Sequence, residues 1–240
     1  MHTLVMGIVN VTPDSFSDGG VYFKPEQAVA RARNMIEEGA DIIDLGGEST
    51  RPGAEPLPWE AEWARLEPVI AALAKEALPR RRAVPVSIDT YHPETALRAL
   101  DAGASIINCV SEASVPAMVE ICADKGAELV VPAKALNGET ELSRLPGFYI
   151  DPMIGFGTTR EEDLRLLRSV GELAKIGRVL VGASRKRIVK KLTGEKTTGK
   201  NLGGNLGIVV WCALKGASVV RVHDVKETVQ ALRVVSALNG

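Results

Sequence analysis

Short apolar runs in this chain repeatedly end in side chains able to bind charge or read a polar ring. The first run, Met6-Gly7-Ile8-Val9, delivers Asn10 and then a Pro- and Gly-punctuated loop through Phe16 to Gly20. Others lead into Glu48-Ser49-Thr50-Arg51-Pro52, Asp89, Asn108, Asp151, Ser184-Arg185-Lys186, and Arg221 with His223. These groups sort into two chemistries. Asp89, Asn108, Asp151 and Lys186 suit a flat, donor-rich heterocycle: a carboxylate accepts two parallel N–H bonds, an amide matches a mixed edge, and an ammonium donates to a ring carbonyl. Arg51, Arg221 and His223 suit a polyanion, and Asn10 offers the uncharged oxygen that a largely hydrated Mg2+ accepts. Placed side by side, the two pockets fit displacement of diphosphate from a heterocyclic substrate.

Each residue also has a purely structural reading. A carboxylate at a strand end can simply satisfy buried donors, an alternative for Asp89 and more so for Asp44. Arg185 reads as a surface ion-pair partner and His92, next to Pro93, as a residue near a helix cap. Cys122 and Cys212 read as core, and Trp59 and Trp63, four apart, as one packed helix face. Among nucleotide-binding motifs, Gly155-Phe156-Gly157 lacks the dinucleotide spacing, and no phosphate-loop motif occurs.

The elements that must carry these groups repeat. Gly39-Ala40-Asp41-Ile42-Ile43, Gly103-Ala104-Ser105-Ile106-Ile107, Gly126-Ala127-Glu128-Leu129-Val130 and Gly216-Ala217-Ser218-Val219-Val220 each follow an apolar-periodic helical segment. A glycine suits the residue after a helix, where φ is positive, and the apolar pair behind it begins a buried strand. Read this way, eight strands are expected: about 4–10, 41–46, 85–89, 105–110, 128–132, 148–151, 179–184 and 218–223. Helices separate most of them. The expected fold is a single α/β domain spanning 1–240, a (β/α)8 TIM barrel, with a doubly wound open sheet as the alternative. Between the fifth and sixth strands stand only residues 133–147, rich in turn formers, so the outer helix there is expected to be short or missing.

Composition narrows the partners. The 240 residues carry 29 basic and 30 acidic side chains, a net charge of -1, and 45% are hydrophobic. Such balance gives no general attraction to nucleic acid or membrane. The longest apolar stretch, Ile208 to Leu214, is too short to span a bilayer, and no leader sequence is recognised. Three cysteines without metal-ligand spacing fit a reducing compartment. A cytoplasmic protein acting on small molecules is expected, with a homodimer as a candidate assembly.

Taken together, Met6–Gly20, Asp44–Gly53, Ser87–Thr90, Ile106–Asn108, Asp151–Gly157, Gly182–Lys186 and Arg221–Thr228 resemble the dihydropteroate synthase family. The resemblance runs from Met6 to about Leu238. It implies a TIM barrel that joins 4-aminobenzoate to 6-hydroxymethyl-7,8-dihydropterin diphosphate. It assigns Asp89, Asn108, Asp151 and Lys186 to the pterin pocket, Asn10 to Mg2+, and Asn10, Arg51, Arg221 and His223 to the diphosphate. Phe16, Thr50, Pro52 and Ser184 match the aminobenzoate side, and Arg51, Lys186, Arg221 and His223 are the catalytic candidates. Three departures stand out: Cys109 follows Asn108 where the family has Asp, the fifth-strand motif is absent, and the segment before Asp151 is short. These leave open a pterin-binding homologue without synthase activity or with another pterin as substrate. A scaffolding barrel would not need the cluster of anion-binding groups.

Overall fold

A computed structural model describes residues 2–12, 25–48, 55–74, 84–137, 141–197 and 199–239. Its strands are β1 (Leu4–Asn10), β2 (Ile42–Gly46), β3 (Val86–Asp89), β4 (Ile106–Asn108), β5 (Glu128–Pro132), β6 (Phe148–Asp151), β7 (Arg178–Val181) and β8 (Val219–Val222). All pair in parallel in chain order, and β8 returns to β1, closing the barrel. Around it lie α1 (Pro25–Glu38), α2 (Trp59–Ala74), α3 (Pro93–Asp101), α4 (Val115–Lys125), α5 (Arg160–Ile176), α6 (Arg187–Thr193), α7 (Leu202–Leu214) and α8 (Val225–Asn239). The closed-barrel expectation holds and the open sheet does not.

The four Gly-Ala repeats share one geometry. Gly39, Gly103, Gly126 and Gly216 all have positive φ, between 64° and 108°. The alanine after each donates its N–H to a carbonyl five residues back, at 2.8–2.9 Å, which satisfies the fraying helix end. The next residue then joins the sheet: Asp41 N–H reaches Val5 at 2.8 Å and Ser218 N–H reaches Val179 at 2.9 Å. Each repeat thus turns helix into strand within three residues.

Strand alternation divides the side chains. Val5, Val9, Ile43 and Leu45 face outward into a core shared with Met35, Leu66 and Ile70 of the helices. Met6, Ile42, Ile106, Val130, Tyr149, Leu180 and Val219 pack together inside the barrel. Between β5 and β6 there are only 3-10 turns at Ala133–Asn137 and Leu142–Arg144 among the described residues. Leu145, 8% exposed, covers the place of the absent outer helix by joining the core that holds Met118 and Cys122 of α4. One feature was not legible in sequence: β7 and β8 are linked by two helices, α6 and α7, rather than one.

Candidate active site

Two residues beyond four of the interior apolar side chains, the same face carries a polar one. Ile42 leads to Asp44, Ile106 to Asn108, Tyr149 to Asp151 and Val219 to Arg221. Period-two alternation therefore stacks a polar layer on the apolar one at the C-terminal end of the barrel. On β5 the equivalent position is Pro132 and on β7 it is Gly182, so neither strand contributes a polar group there.

Arg221 organises the layer. Its Nε donates to Asp44 Oδ2 and its Nη2 to Asp89 Oδ2, both at 2.6 Å. The Asp44 carboxylate is fully buried, and Asn108 Nδ2 donates to the same Oδ2 at 3.3 Å. Arg221 and Asp89, assigned by sequence to separate pockets, thus form one ion-paired unit. Thr90, beside Asp89, donates its hydroxyl to Glu62 of α2 at 2.7 Å, and burial pushes the Glu62 carboxyl up.

Opposite stand Asp151 and Lys186. Asp151 Oδ1 accepts from Met153 N–H at 2.7 Å, in a turn where Met153 takes a φ of 65°. Lys186 Nζ donates to the Ile154 carbonyl at 2.6 Å and lies 4.3 Å from the Phe156 ring centroid. Gly155, at φ +79°, is where a Cβ would stand 2.9 Å from Lys186 Cδ, so only glycine lets the lysine cross the turn. Asp163 of α5 pins this turn by accepting from Gly155 N–H at 2.8 Å.

Three carboxylates, Asp44, Asp89 and Asp151, face two cations, Lys186 and Arg221. Burial raises Asp151, and raises Asp89 to about 7 despite the Arg221 charge beside it. Burial likewise lowers Lys186 to about 8, with Asp151 opposing the shift. The Asp89 carboxyl holds its proton more tightly folded than at its ordinary value of 3.8. Its stabilising contribution is full below that value and is lost as pH rises through about 7. Asp89→Asn is therefore expected to melt higher than the unaltered protein at pH 8, by a margin that is clearly smaller at pH 5. Thermal melts at both pH values decide it; an offset independent of pH would show that the site does not oppose this charge.

At the rim, Ser184 Oγ and His223 Nδ1 lie 3.0 Å apart, joining a group assigned to the aminobenzoate side with one assigned to the diphosphate. Asn10 ends β1, and its Oδ1 faces the space left by Gly46, 4.0 Å from where a Cβ would stand, with Asp89 on the other flank. No group of three His, Cys, Asp or Glu residues able to hold a metal occurs among the described residues. A neutral amide oxygen at this strand end fits a Mg2+ that keeps most of its waters. Phe16, Thr50, Arg51 and Pro52 lie outside the described residues.

Three carboxylates support the site without having been assigned a role from sequence. Asp44 stands between a structural and a functional reading there. Glu62 carried no signal beyond a charge in an apolar helix. Glu48 accepts from Tyr91 Oη at 2.9 Å, with His92 Nε2 at 3.6 Å, tying the end of β2 to the start of α3. Arg185 does pair with Asp224, at 3.0 Å, and His92 is the N-cap residue of α3. Cys109, Cys122 and Cys212 are buried thiols, and no helix among the described residues is long and apolar enough to cross a membrane.

A closed parallel barrel with its charged side chains gathered at the strand C-termini defines a (β/α)8-barrel enzyme. Residues 6–144 and 146–223 match the family described as pterin binding enzyme. The dihydropteroate synthase of Escherichia coli is 38% identical over 264 residues, covering 98% of this chain and 92% of that protein. A probable bifunctional folylpolyglutamate synthase/dihydropteroate synthase of Haloferax volcanii is 39% identical, and this chain spans 30% of its length. The Xanthomonas albilineans dihydropteroate synthase with 4-aminobenzoic acid superposes with a TM-score of 0.88 at 37% identity, covering 99% and 93% of the two chains. The same enzyme with 7,8-dihydropteroate gives 0.84 at 34% identity, covering 99% and 94%. The chain belongs to the pterin binding enzyme family, among its dihydropteroate synthases.

Proposed function

We propose that this barrel condenses 4-aminobenzoate with 6-hydroxymethyl-7,8-dihydropterin diphosphate, giving 7,8-dihydropteroate and diphosphate. The observation that carries the reading is the convergence of Asp89, Asn108, Asp151 and Lys186 on one end of the barrel, with Arg221, Ser184 and His223 beside them. In this reading Asp151 accepts N–H bonds from the pterin, the Asn108 amide meets its mixed edge, and Lys186 donates to it. Lys186 sits against Phe156, and burial has already removed much of its hydration, so its ammonium can donate to a ring nitrogen or carbonyl at little further desolvation cost.

The exocyclic C–O bond of the pterin methylene breaks, the aryl nitrogen bonds to that carbon, and one amine proton leaves. An aromatic amine is a weak nucleophile, so departure of diphosphate sets the barrier. Fixed positive charge facing that leaving group is the largest available effect, single groups often being worth about 10²–10³ in rate. Arg51, Arg221 and His223 fill this role, and Asn10 would hold a Mg2+ that neutralises diphosphate charge when bound. Thr50, Pro52, Phe16 and Ser184 hold the aminobenzoate. The enzyme works in the cytoplasm as a homodimer; Trp211 and Leu214 of α7 are exposed apolar side chains, and light scattering tests the assembly.

The deciding experiment mixes both substrates with Mg2+ and follows diphosphate and dihydropteroate together. Equal yields of the two products are expected, with turnover reduced in Arg51→Ala. Tight pterin binding with no diphosphate released would instead mark a homologue that has lost the synthase step.

A further inference from the structure

Asp44 lies in the same polar layer as the groups assigned to the pterin, fully buried, and none of the roles above uses it. Its Oδ2 receives two donors, Arg221 Nε at 2.6 Å and Asn108 Nδ2 at 3.3 Å. Arg221 can only donate, so the atom of residue 44 that faces it must be an oxygen. The same oxygen then obliges Asn108 to turn its NH2 group inward. Asn108 Oδ1 is left pointing the other way, buried and without a protein partner among the described residues.

An amide can show a ligand either an acceptor or a donor, and its other contacts decide which. We infer that Asp44 is a positioning residue that sets the hydrogen-bonding polarity of Asn108, so that the pocket presents a carbonyl oxygen to an N–H of the bound heterocycle. The inference rests on the pterin reading of the pocket and names what that reading leaves open: which end of the Asn108 amide meets the ligand. The operative property of Asp44 is its oxygen, not its charge. Asp44, Asp89 and Asp151 already outnumber Lys186 and Arg221 by one, so losing the charge at position 44 brings the cluster into balance.

Two substitutions separate oxygen from charge. In Asp44→Asn the Arg221 Nε–H orients the new amide with its oxygen inward, so Asn108 keeps its direction. In Asp44→Leu no acceptor remains, and Asn108 is free to turn. Calorimetry with 6-hydroxymethylpterin, which has no diphosphate, should place Asp44→Asn within about threefold of the unaltered protein and Asp44→Leu at least about tenfold weaker. Equal losses in both variants, or no loss in either, would overturn the inference.

The ligand-free protein supplies an independent measurement. The Asn108 side-chain amide protons, assigned by their disappearance in Asn108→Ser, should exchange slowly with solvent in the unaltered protein and in Asp44→Asn. They should lose that protection in Asp44→Leu. Rapid exchange in the unaltered protein would overturn the assignment even if the leucine variant did not fold. Slow exchange in a protein that fails to bind the pterin would support the polarity of Asn108 and defeat the functional reading alone.

Discussion

Arg221→Ala should lower the melting temperature by roughly 10 °C and abolish detectable diphosphate binding. The guanidinium lies between two carboxylates at 2.6 Å each, one of them fully buried. Removing one partner of a buried pair costs about 3–5 kcal/mol, because the remaining charge is left without compensation. In a chain of this size each kcal/mol corresponds to about 2–4 °C. Only two of the five guanidinium N–H groups are committed to Asp44 and Asp89, so the others are available to an anion at the barrel mouth. The double variant Arg221→Ala/Asp44→Asn separates the two roles. It removes the orphaned buried charge and should regain most of the lost stability without regaining diphosphate affinity. Calorimetry with diphosphate and thermal unfolding of both variants test this; normal diphosphate binding in the folded double variant would show Arg221 to be structural only.

Asp151→Asn should weaken binding of the bare pterin by about 1–3 kcal/mol, roughly ten- to a hundredfold, and leave diphosphate binding nearly unchanged. Geometry makes the loss hard to evade. One carboxylate oxygen of Asp151 is already taken by Met153 N–H at 2.7 Å. An amide has a single oxygen. If that oxygen stays with Met153, its NH2 group faces a donor-rich ligand; if it turns to the ligand, the Met153 N–H loses its partner in a turn already at positive φ. Titration calorimetry with pterin and with diphosphate measures both halves of the expectation, and unchanged pterin affinity would remove Asp151 from the pocket.

The network also explains why two departures from the family pattern need not harm the site. On β5 the position that would face the pocket is Pro132, which carries no hydrogen-bonding side chain, so the altered fifth strand removes none of the polar groups described above. Cys109 is buried, with its Sγ 3.3 Å from the Ser111 carbonyl, and burial pushes its thiol up to about 11. It packs as a small apolar residue and brings no further charge to a cluster already in carboxylate excess.

The local features of this protein were legible in its sequence because their causes are local. A glycine after an amphipathic segment, with Ala and two apolar residues behind it, dictates helix end and strand start through backbone sterics and a few neighbouring hydrogen bonds. Four such transitions among eight apolar runs in 240 residues were enough to expect the barrel, and turn formers between β5 and β6 to expect a short or missing helix there. Many of the candidate residues were legible too, since Asn10, Asp89, Asn108 and Asp151 each close a strand and barrels gather strand ends on one face. What depended on the tertiary structure was which of them touch. Arg221 meets Asp44 and Asp89 across 177 and 132 residues of chain, and Ser184 meets His223 across 39. Closure of the barrel and its register bring these groups together, and no periodicity along the chain encodes the distance between side chains on different strands. The role of Asp44 was hidden for the same reason: its effect passes through Arg221 and Asn108, neither of which is its neighbour in sequence.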